Sequence, residues 1–309
     1  MANIETASAK KGELSRGCAA LMVFVGGACY GANASCYKLA YGLGFSSVQM
    51  MTAQIWFATL TFGIAFLIGR ALGRRWTRLS GIDMAKLVFL GVLSATTTIL
   101  YCYAMSVLPV SFALTLLFQF TWLGTVIQVV MTRRAPSLAQ VVSALLVVAG
   151  TVFASGLYES GISSFDALGI VCGLLAALSC ALFVTLSGKL RVDCSDSQRG
   201  LLVCLGAFVI SIFVCPDFAP SGALFDGIAI FGLVTGAIGF VLPVLLFGIA
   251  TPHLPAGINT ILAASELPAG LLVAMLVLST PITGVQWAGV VVILLGVCVS
   301  QLKLKKSAS

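Results

Sequence analysis

Ten apolar stretches, each long enough to cross a lipid bilayer, occupy most of this 309-residue sequence. Sixty per cent of the residues are hydrophobic and only 9% are charged, whereas about 25% of residues are charged in a typical soluble domain. So few charges do not cover the surface of a water-soluble protein of this size. Because a spanning helix needs roughly 20 apolar residues, the length accommodates about ten spans with short loops. The sequence therefore predicts an all-α integral membrane protein.

We number the predicted transmembrane helices as spans 1 to 10 in chain order. They run over Arg16–Ala40, Ser47–Ile68, Met84–Val107, Val110–Met131, Leu138–Leu157, Asp166–Gly188, Arg199–Cys215, Gly227–Ala250, Pro255–Leu278 and Thr283–Leu302. The runs are too long for the alternating strands of an outer-membrane barrel. The first run is also too long for the apolar core of a signal peptide, so we expect span 1 to be retained.

The positions of the basic residues predict the orientation. With the N-terminus in the cytoplasm, all but one of the 17 lysines and arginines fall on the cytoplasmic side, and the exception is Lys38. The opposite orientation violates the positive-inside rule at nearly every loop. We therefore expect both termini in the cytoplasm and a multi-pass protein in the cell (inner) membrane. The net charge of +7 then indicates the lipid bilayer, not nucleic acid, as its partner.

Cysteine and histidine do not indicate a metal site. The ten cysteines form no CxxC pair and most of them lie in predicted spans, where a reduced cysteine behaves as a small hydrophobe. His253 is the only histidine, and it lies in a loop without nearby acidic or cysteine ligands. We therefore predict neither a metal nor a cofactor.

An internal repeat relates the two halves of the chain. Two sets of residues recur with similar spacing. In the first set, the first half has Leu108-Pro109, Ala135-Pro136-Ser137-Leu138-Ala139-Gln140 and Gly150, and the second half has Leu254-Pro255, Thr280-Pro281-Ile282-Thr283-Gly284-Val285-Gln286 and Gly296. In the second set, Cys29 and Lys38 of the first half match Cys180 and Lys189 of the second. Because each unit holds an odd number of spans, the second unit enters the membrane from the opposite side. The sequence thus predicts a five-plus-five inverted repeat, an architecture that recurs in secondary transporters.

The repeat also predicts the division of the chain into segments. They are a cytoplasmic N-terminal tail (1–15), a first five-helix repeat (16–157), an outer linker (158–165), a second five-helix repeat (166–302) and a basic cytoplasmic tail (303–309).

Four short motifs follow span 8 in the second half of the chain. They are Pro255-Ala256-Gly257, Ser265-Glu266-Leu267-Pro268, Gln286-Trp287-Ala288-Gly289 and Leu294-Leu295-Gly296-Val297. Together with the ten spans and the inverted repeat, they resemble the drug/metabolite transporter superfamily of EamA type, over nearly the whole chain. The resemblance implies a central cavity lined by spans 1–4 and 6–9. It also implies peripheral spans 5 and 10 that can form a homodimer, and alternating access that usually exports a small metabolite.

Glu266 is the only acidic residue in a predicted membrane interior, roughly midway along span 9. An ionisable group at the bilayer centre costs at least about 2.5–3.5 kcal/mol on insertion scales, so it normally faces a cavity or a partner. Pro268, two residues on, removes a backbone donor and loosens the local helix. Two interpretations stay open: a group that couples transport to protons or pairs with a cationic ligand, and a hydrogen-bonded brace between helices.

Other polar and aromatic side chains inside the spans are candidates for substrate binding. They are Gln119, Thr121 and Trp122 in span 4, Tyr30 and Asn33 in span 1, Trp56 in span 2, Thr97 and Tyr101 in span 3, and Asn259 in span 9. Each has a structural alternative: helix hydrogen bonds for Gln119 and Thr97, packing for Trp122, and an interfacial belt instead of a gate for Tyr101. Lys38 either snorkels to the outer headgroups or binds substrate.

Small residues and prolines predict close helix contacts or hinges. They are Gly27 and Gly31 in span 1, Gly169 and Gly173 in span 6, Gly236 and Pro243 in span 8, and Pro268 in span 9.

The sequence predicts a gradient-driven carrier and no enzyme, because it holds no zinc-hydrolase motif, phosphate-binding loop or nucleophile elbow. We expect export of an amino acid or a similar small amphiphile, with proton antiport dependent on Glu266. A cationic amine or drug is the second substrate class, since one buried acid lies among aromatic side chains. A membrane scaffold without transport activity is the alternative from another class.

Overall fold

The structure is a computed structural model that describes residues 15–73, 77–133, 135–155, 166–190, 192, 194–250, 253–254 and 262–300. Within these residues every regular element is helical. Seven helices are long and apolar enough to cross a membrane, and three shorter apolar helices accompany them. The chain is therefore a multi-pass helical membrane protein.

We number the α-helices of the described residues in chain order. They are α1 (Arg16–Gly42), α2 (Ser47–Ala71), α3 (Gly81–Val107), α4 (Val110–Leu117), α5 (Phe120–Thr132), α6 (Leu138–Ala154), α7 (Ala167–Lys189), α8 (Asp196–Val214), α9 (Ala229–Gly236), α10 (Leu242–Ala250), α11 (Glu266–Leu278) and α12 (Gly284–Ser300). A 3₁₀ turn, Pro216–Phe218, and a π-helical turn, Leu224–Ile228, lie between α8 and α9, and a second π-helical turn, Ala237–Val241, joins α9 to α10.

Side-chain caps explain where two of these helices begin. The Ser137 hydroxyl accepts a hydrogen bond from the backbone N–H of Gln140 at 3.3 Å, and the Gln140 side chain accepts one from the backbone of Ser137 at 2.8 Å. Thr283 and Gln286 exchange the same two bonds at the start of α12, at 3.4 and 2.9 Å. Each pair is a capping box. The glutamine that recurs in the internal repeat is thus the third helical residue of α6 and of α12.

Span 4, predicted as one helix, is divided into α4 and α5. The side-chain amide of Gln119 donates to the carbonyl oxygen of Thr115 at 2.9 Å, while the backbone N–H of Gln119 bonds instead to Leu116. A side chain that enters the helical hydrogen-bond ladder in this way bends the helix. The bend lies at Phe118 and Gln119.

Prolines account for the interruptions of spans 8 and 9. Pro268 has no N–H to donate to Ala264, and α11 begins after a turn at Ala264 and Ser265. Pro243 likewise cannot donate to Gly239, and the ladder widens there into the π-helical turn that precedes α10. Residues 255–261 of span 9 lie outside the described residues.

The helices form a bundle with differently charged ends. The end that we call basic carries Arg70, Arg78, Arg133 and Arg199, and the end that we call acidic carries Asp166, Asp217 and Asp226. The Gln198 side chain pairs with the backbone of Thr77 at 2.9 and 3.3 Å, which brings the start of α8 to the α2–α3 loop at the basic end.

Two groups of helices make up the centre of the bundle. Helix α1 packs along α10 and α11 and also contacts α9, and we call these four helices bundle A. Helix α7 packs along α3, α4 and α5, and we call these bundle B. Helices α2 and α8 pack on each other and join the two bundles. Helix α2 also packs on α9 of bundle A, and α8 also packs on α3 of bundle B. Helices α6 and α12 pack together at the periphery.

The glycines singled out in the sequence lie where helices approach most closely. Gly27 and Gly31 face α11, Gly169 faces the end of α3, Gly173 faces α4, and Gly236 faces α2. A methyl group at Gly31 would overlap the backbone of Glu266 in α11. Small residues therefore let these backbones touch, as in other membrane helix pairs.

Candidate functional site

Glu266 is the first residue of α11, directly after the turn that interrupts span 9. The positive end of the α11 dipole lies at this residue and stabilises a carboxylate there. Its side chain is partly exposed, although the next residue, Leu267, is fully buried. Within the part of the chain that the structure describes, Glu266 forms no salt bridge and no side-chain hydrogen bond. Among the described residues, the acid therefore has no fixed partner.

Three further spans bring side chains to Glu266. The carboxyl group interacts electrostatically with Tyr30 of α1, Tyr101 of α3 and Cys180 of α7. The ring of Tyr30 also packs against that of Phe247 of α10, with centroids 6.0 Å apart. Both bundles thus contribute to the group around Glu266, and none of these neighbours is basic. Cys180 was not predicted as a site residue, because cysteine in a span looks like a small packing residue.

Two polar atoms near this group lack partners. The Tyr101 hydroxyl and the side-chain oxygen of Asn33 are buried, and no hydrogen bond to either occurs among the described residues. Asn33 is only 7% exposed and lies against Gly239 in the π-helical turn of span 8. A buried polar group left unpaired costs about 1–3 kcal/mol. Such unpaired groups are typical of sites that a ligand or water completes.

A second polar cluster lies on the acidic-end side of Glu266. The Tyr37 hydroxyl donates to the side-chain oxygen of Gln54, whose amide nitrogen donates to the carbonyl oxygen of Thr235 at 3.4 Å. The Tyr41 hydroxyl donates to the carbonyl oxygen of Cys102 at 3.0 Å. The rings of Tyr37 and Tyr41 stack with centroids 6.3 Å apart. Sequence reasoning missed this cluster, although two tyrosines one helical turn apart on α1 are a signal for it.

The comparison with protein families decides what kind of protein carries this site. Residues 17–156 match the model of the EamA-like transporter family. The first part of the chain is therefore similar to EamA-like transporters. The family is part of the drug/metabolite transporter superfamily, so the resemblance drawn from the sequence motifs is confirmed. Its members are transporters and not enzymes, which agrees with the prediction for this chain.

A solved crystal structure resembles this chain over nearly its full length. It aligns with 93% of this chain and 99% of its own, with a TM-score of 0.59 and 21% sequence identity. At this identity the likeness shows a common fold. No curated protein matches the chain.

Within the EamA-like chain, Gln119 belongs to a brace between helices and not to the group around Glu266. Its amide nitrogen donates to Thr151 of α6 at 2.6 Å as well as to Thr115, and its oxygen accepts from the Trp122 indole at 2.8 Å. The hydroxyl of Thr121 donates to the carbonyl oxygen of Phe118 at 3.1 Å. All polar atoms of the Gln119 side chain therefore have partners.

Thr97 and Trp56, also predicted as site residues, form hydrogen bonds within or between helices. Thr97 donates to the carbonyl oxygen of Leu93 in its own helix at 3.0 Å. The Trp56 indole donates to Ser211 of α8 at 3.2 Å, and its ring packs against Phe208 and Phe218, each at 5.2 Å. Trp56 thus fills the contact between α2 and α8. Asn259 lies outside the described residues.

Proposed function

We propose that this EamA-like protein is a secondary active transporter that exports a small amphiphilic metabolite, an amino acid or a similar compound, across the cell membrane by alternating access. The observation that carries the proposal is the group around Glu266. An acid without a salt bridge among the described residues interacts electrostatically with two tyrosines and a thiol that come from both bundles. Transporter sites typically lie near the bilayer midplane, beside interrupted helices.

The proposed topology has ten spans and both termini in the cytoplasm. The three shorter apolar helices support spans 5, 9 and 10 beside the seven long ones. In this topology the basic end of the bundle is cytoplasmic and the acidic end is external, in agreement with the positive-inside rule.

The proposed architecture is an inverted repeat of residues 16–157 and 166–302, joined by the outer linker 158–165. Close contacts at two glycines support it. A methyl group at Gly91 of α3 would overlap the carbonyl oxygen of Val203 in α8, and one at Gly236 of α9 would lie 3.2 Å from that of Gln54 in α2. Gln54 and Val203 each lie eight residues after the serine that caps their helix. The contact between span 3 and span 7 is thus equivalent to the contact between span 8 and span 2, as the repeat requires.

The peripheral pair α6 and α12 supports the same two-fold relation. A methyl group at Gly150 would lie 2.8 Å from the carbonyl oxygen of Gly289, and one at Gly296 would lie 3.1 Å from that of Ser143. Ser143 and Gly289 each follow the capping glutamine of their helix by three residues. Under this repeat, bundle A and bundle B correspond to each other, and rocking of one against the other gives alternating access.

The chemistry of the site supports a substrate with a positively charged group. Glu266 has no basic neighbour among Tyr30, Tyr101 and Cys180, so a cation is the charge that it stabilises. The ammonium group of an amino acid meets this requirement. A simple amine is the second candidate, and it is favoured by the same unpaired acid beside tyrosine rings, which attract cations.

We also propose that α6 and α12 form the contact of a homodimer. Their outer faces expose large apolar side chains: Leu138, Leu145 and Val148 on α6, and Val291 and Leu295 on α12. Cross-linking of native membranes tests this contact, and a species of monomer mass alone would count against it.

Transport by purified protein in proteoliposomes tests the proposed function. The panel comprises amino acids, primary amines and quaternary amines, each with and without an imposed pH gradient. We expect saturable counterflow of at least one compound with an ammonium group, and stimulation by an opposing proton gradient. Correctly folded protein that exchanges no compound of the panel would favour the membrane scaffold.

A further inference from the structure

At the acidic end, hydrogen bonds tie α1 of bundle A to α3 of bundle B and to the joining helix α2. Tyr41 of bundle A donates to the carbonyl oxygen of Cys102 in bundle B at 3.0 Å. Tyr37 of bundle A donates to Gln54 of α2, which in turn contacts Thr235 of α9. We call the Tyr41–Cys102 and Tyr37–Gln54 bonds the outer latch. Movement of α1 away from α2 and α3 at this end breaks both bonds.

Span 4 is more tightly packed toward the acidic end, where the outer latch lies, than toward the basic end. Six of the eight residues of α4, which runs from the acidic end to the middle, are buried, whereas no residue of α5, which continues to the basic end, is buried. Gly270 of α11 lies against Leu114 of α4, so the bundles also touch through apolar atoms near the latch. Span 4 is thus covered at the acidic end and uncovered toward the basic end.

The inverted repeat gives the latch residues counterparts that cannot form the same bonds. By the spacing that aligns Cys29 with Cys180, Tyr37 and Tyr41 correspond to Gly188 and Val192, and by the capping serines Gln54 corresponds to Val203. Glycine and valine have no side-chain donor or acceptor. These counterpart positions therefore cannot form the bonds of the outer latch at the basic end.

We propose that the outer latch sets the resting state of the transporter, closed to the outside and open to the cytoplasm. The proposal rests on the proposed alternating access. With two identical halves, the inward-open and outward-open states would be equally stable. Hydrogen bonds present in only one of the two states shift that balance toward it. Removing the latch therefore raises the outward-open population.

Cys180 is a native reporter for this balance, because it is a partly exposed thiol beside Glu266. The rate at which a membrane-impermeant maleimide modifies Cys180 is measured from the outside in right-side-out vesicles and from the cytoplasmic side in inverted ones. Peptide-resolved mass spectrometry separates Cys180 from the other nine of the ten cysteines. The compared proteins are wild type, Tyr41→Phe, Gln54→Val, the double variant, and Tyr103→Phe as a matched control on α3 outside the latch.

We expect wild-type Cys180 to react faster from the cytoplasmic side. Tyr41→Phe should raise the outside rate about fivefold, the factor that one hydrogen bond of ordinary net strength gives. The double variant should raise it further, and Tyr103→Phe should match wild type. The proposal is overturned if Cys180 is modified from the outside at the wild-type rate in both Tyr41→Phe and the double variant.

Counterflow measured on the same wild-type vesicles separates this proposal from the proposed function. Counterflow without any response of Cys180 labelling to the latch variants refutes the latch and leaves transport standing. A labelling response without counterflow of any compound supports the latch and removes the proposed transport activity.

Discussion

At the scale of single residues, the placement of Glu266 joins the helix geometry to the chemistry of transport. The acid begins a half-length helix, so the helix terminus stabilises its charge without a basic side chain nearby. That arrangement leaves the carboxyl group free to exchange one positive partner for another. Tyr30 and Tyr101 interact electrostatically with it.

Replacing the acid tests its part in proton coupling. We expect Glu266→Gln to abolish stimulation of transport by a proton gradient, because the amide neither binds nor releases a proton in the physiological range. The measurement is substrate flux in proteoliposomes with and without the gradient. Asp83→Asn, at the start of α3 beside Lys86, is the control. Unchanged pH dependence in the Glu266 variant would leave only a structural role.

The hydrogen bonds of the Gln119 brace predict a contribution to stability. Gln119→Ala leaves the indole of Trp122 and the hydroxyl of Thr151 without their bonds to this side chain in a buried place, so we expect a loss of about 1–3 kcal/mol. The melting temperature in detergent measures the loss. Gln128→Ala, at an exposed position of α5, should leave the melting temperature unchanged. Equal melting temperatures for the two variants would contradict the brace.

At the scale of helices, close backbone contact between α1 and α11 holds Glu266 in its position. The contact depends on Gly31, whose Cα lies against the Glu266 backbone. Overpacking of such a contact typically costs about 1–3 kcal/mol. Replacing a helical glycine that contacts no other helix has the opposite effect, because alanine is favoured over glycine in a helix by about 1 kcal/mol.

Two glycine substitutions separate these effects. We expect Gly31→Ala to lower the melting temperature and to reduce transport, because α11 is pushed away from α1. Gly63→Ala in α2, where no atom lies within 4 Å of the added methyl group, should be neutral or stabilising. Thermal unfolding and counterflow of both proteins measure the difference. Wild-type behaviour of Gly31→Ala would show that the two helices are not in the contact described.

The helix bounds could be predicted from the sequence where they depend on local signals. Helices α1, α2, α3 and α7 agree with the predicted spans to within three residues, because apolar run length and capping residues are local properties. The bend at Gln119 was missed, since it depends on a side chain that bonds to its own helix and to Thr151 of another. Cys180 and the Tyr37–Gln54 bond were missed for the same reason: each depends on which helices become neighbours.

At the scale of the whole molecule, the orientation is the property that every transport experiment assumes. Cys18 is exposed in the first turn of α1, at the basic end. We expect an impermeant maleimide to modify Cys18 in inverted vesicles and not in intact cells. Modification from the outside of intact cells would show the opposite topology, with the basic end external and the acidic end cytoplasmic.

The pairing of α11 with α1 and α4 also has a consequence for the order of membrane insertion. A short helix that begins with an acid is a poor candidate for entering lipid on its own. The surfaces that receive it, around Gly31 and Leu114, belong to the first half of the chain and leave the ribosome earlier. We therefore expect α11 to enter a bilayer that already holds α1 and α4, so that its insertion depends on prior assembly of the first half.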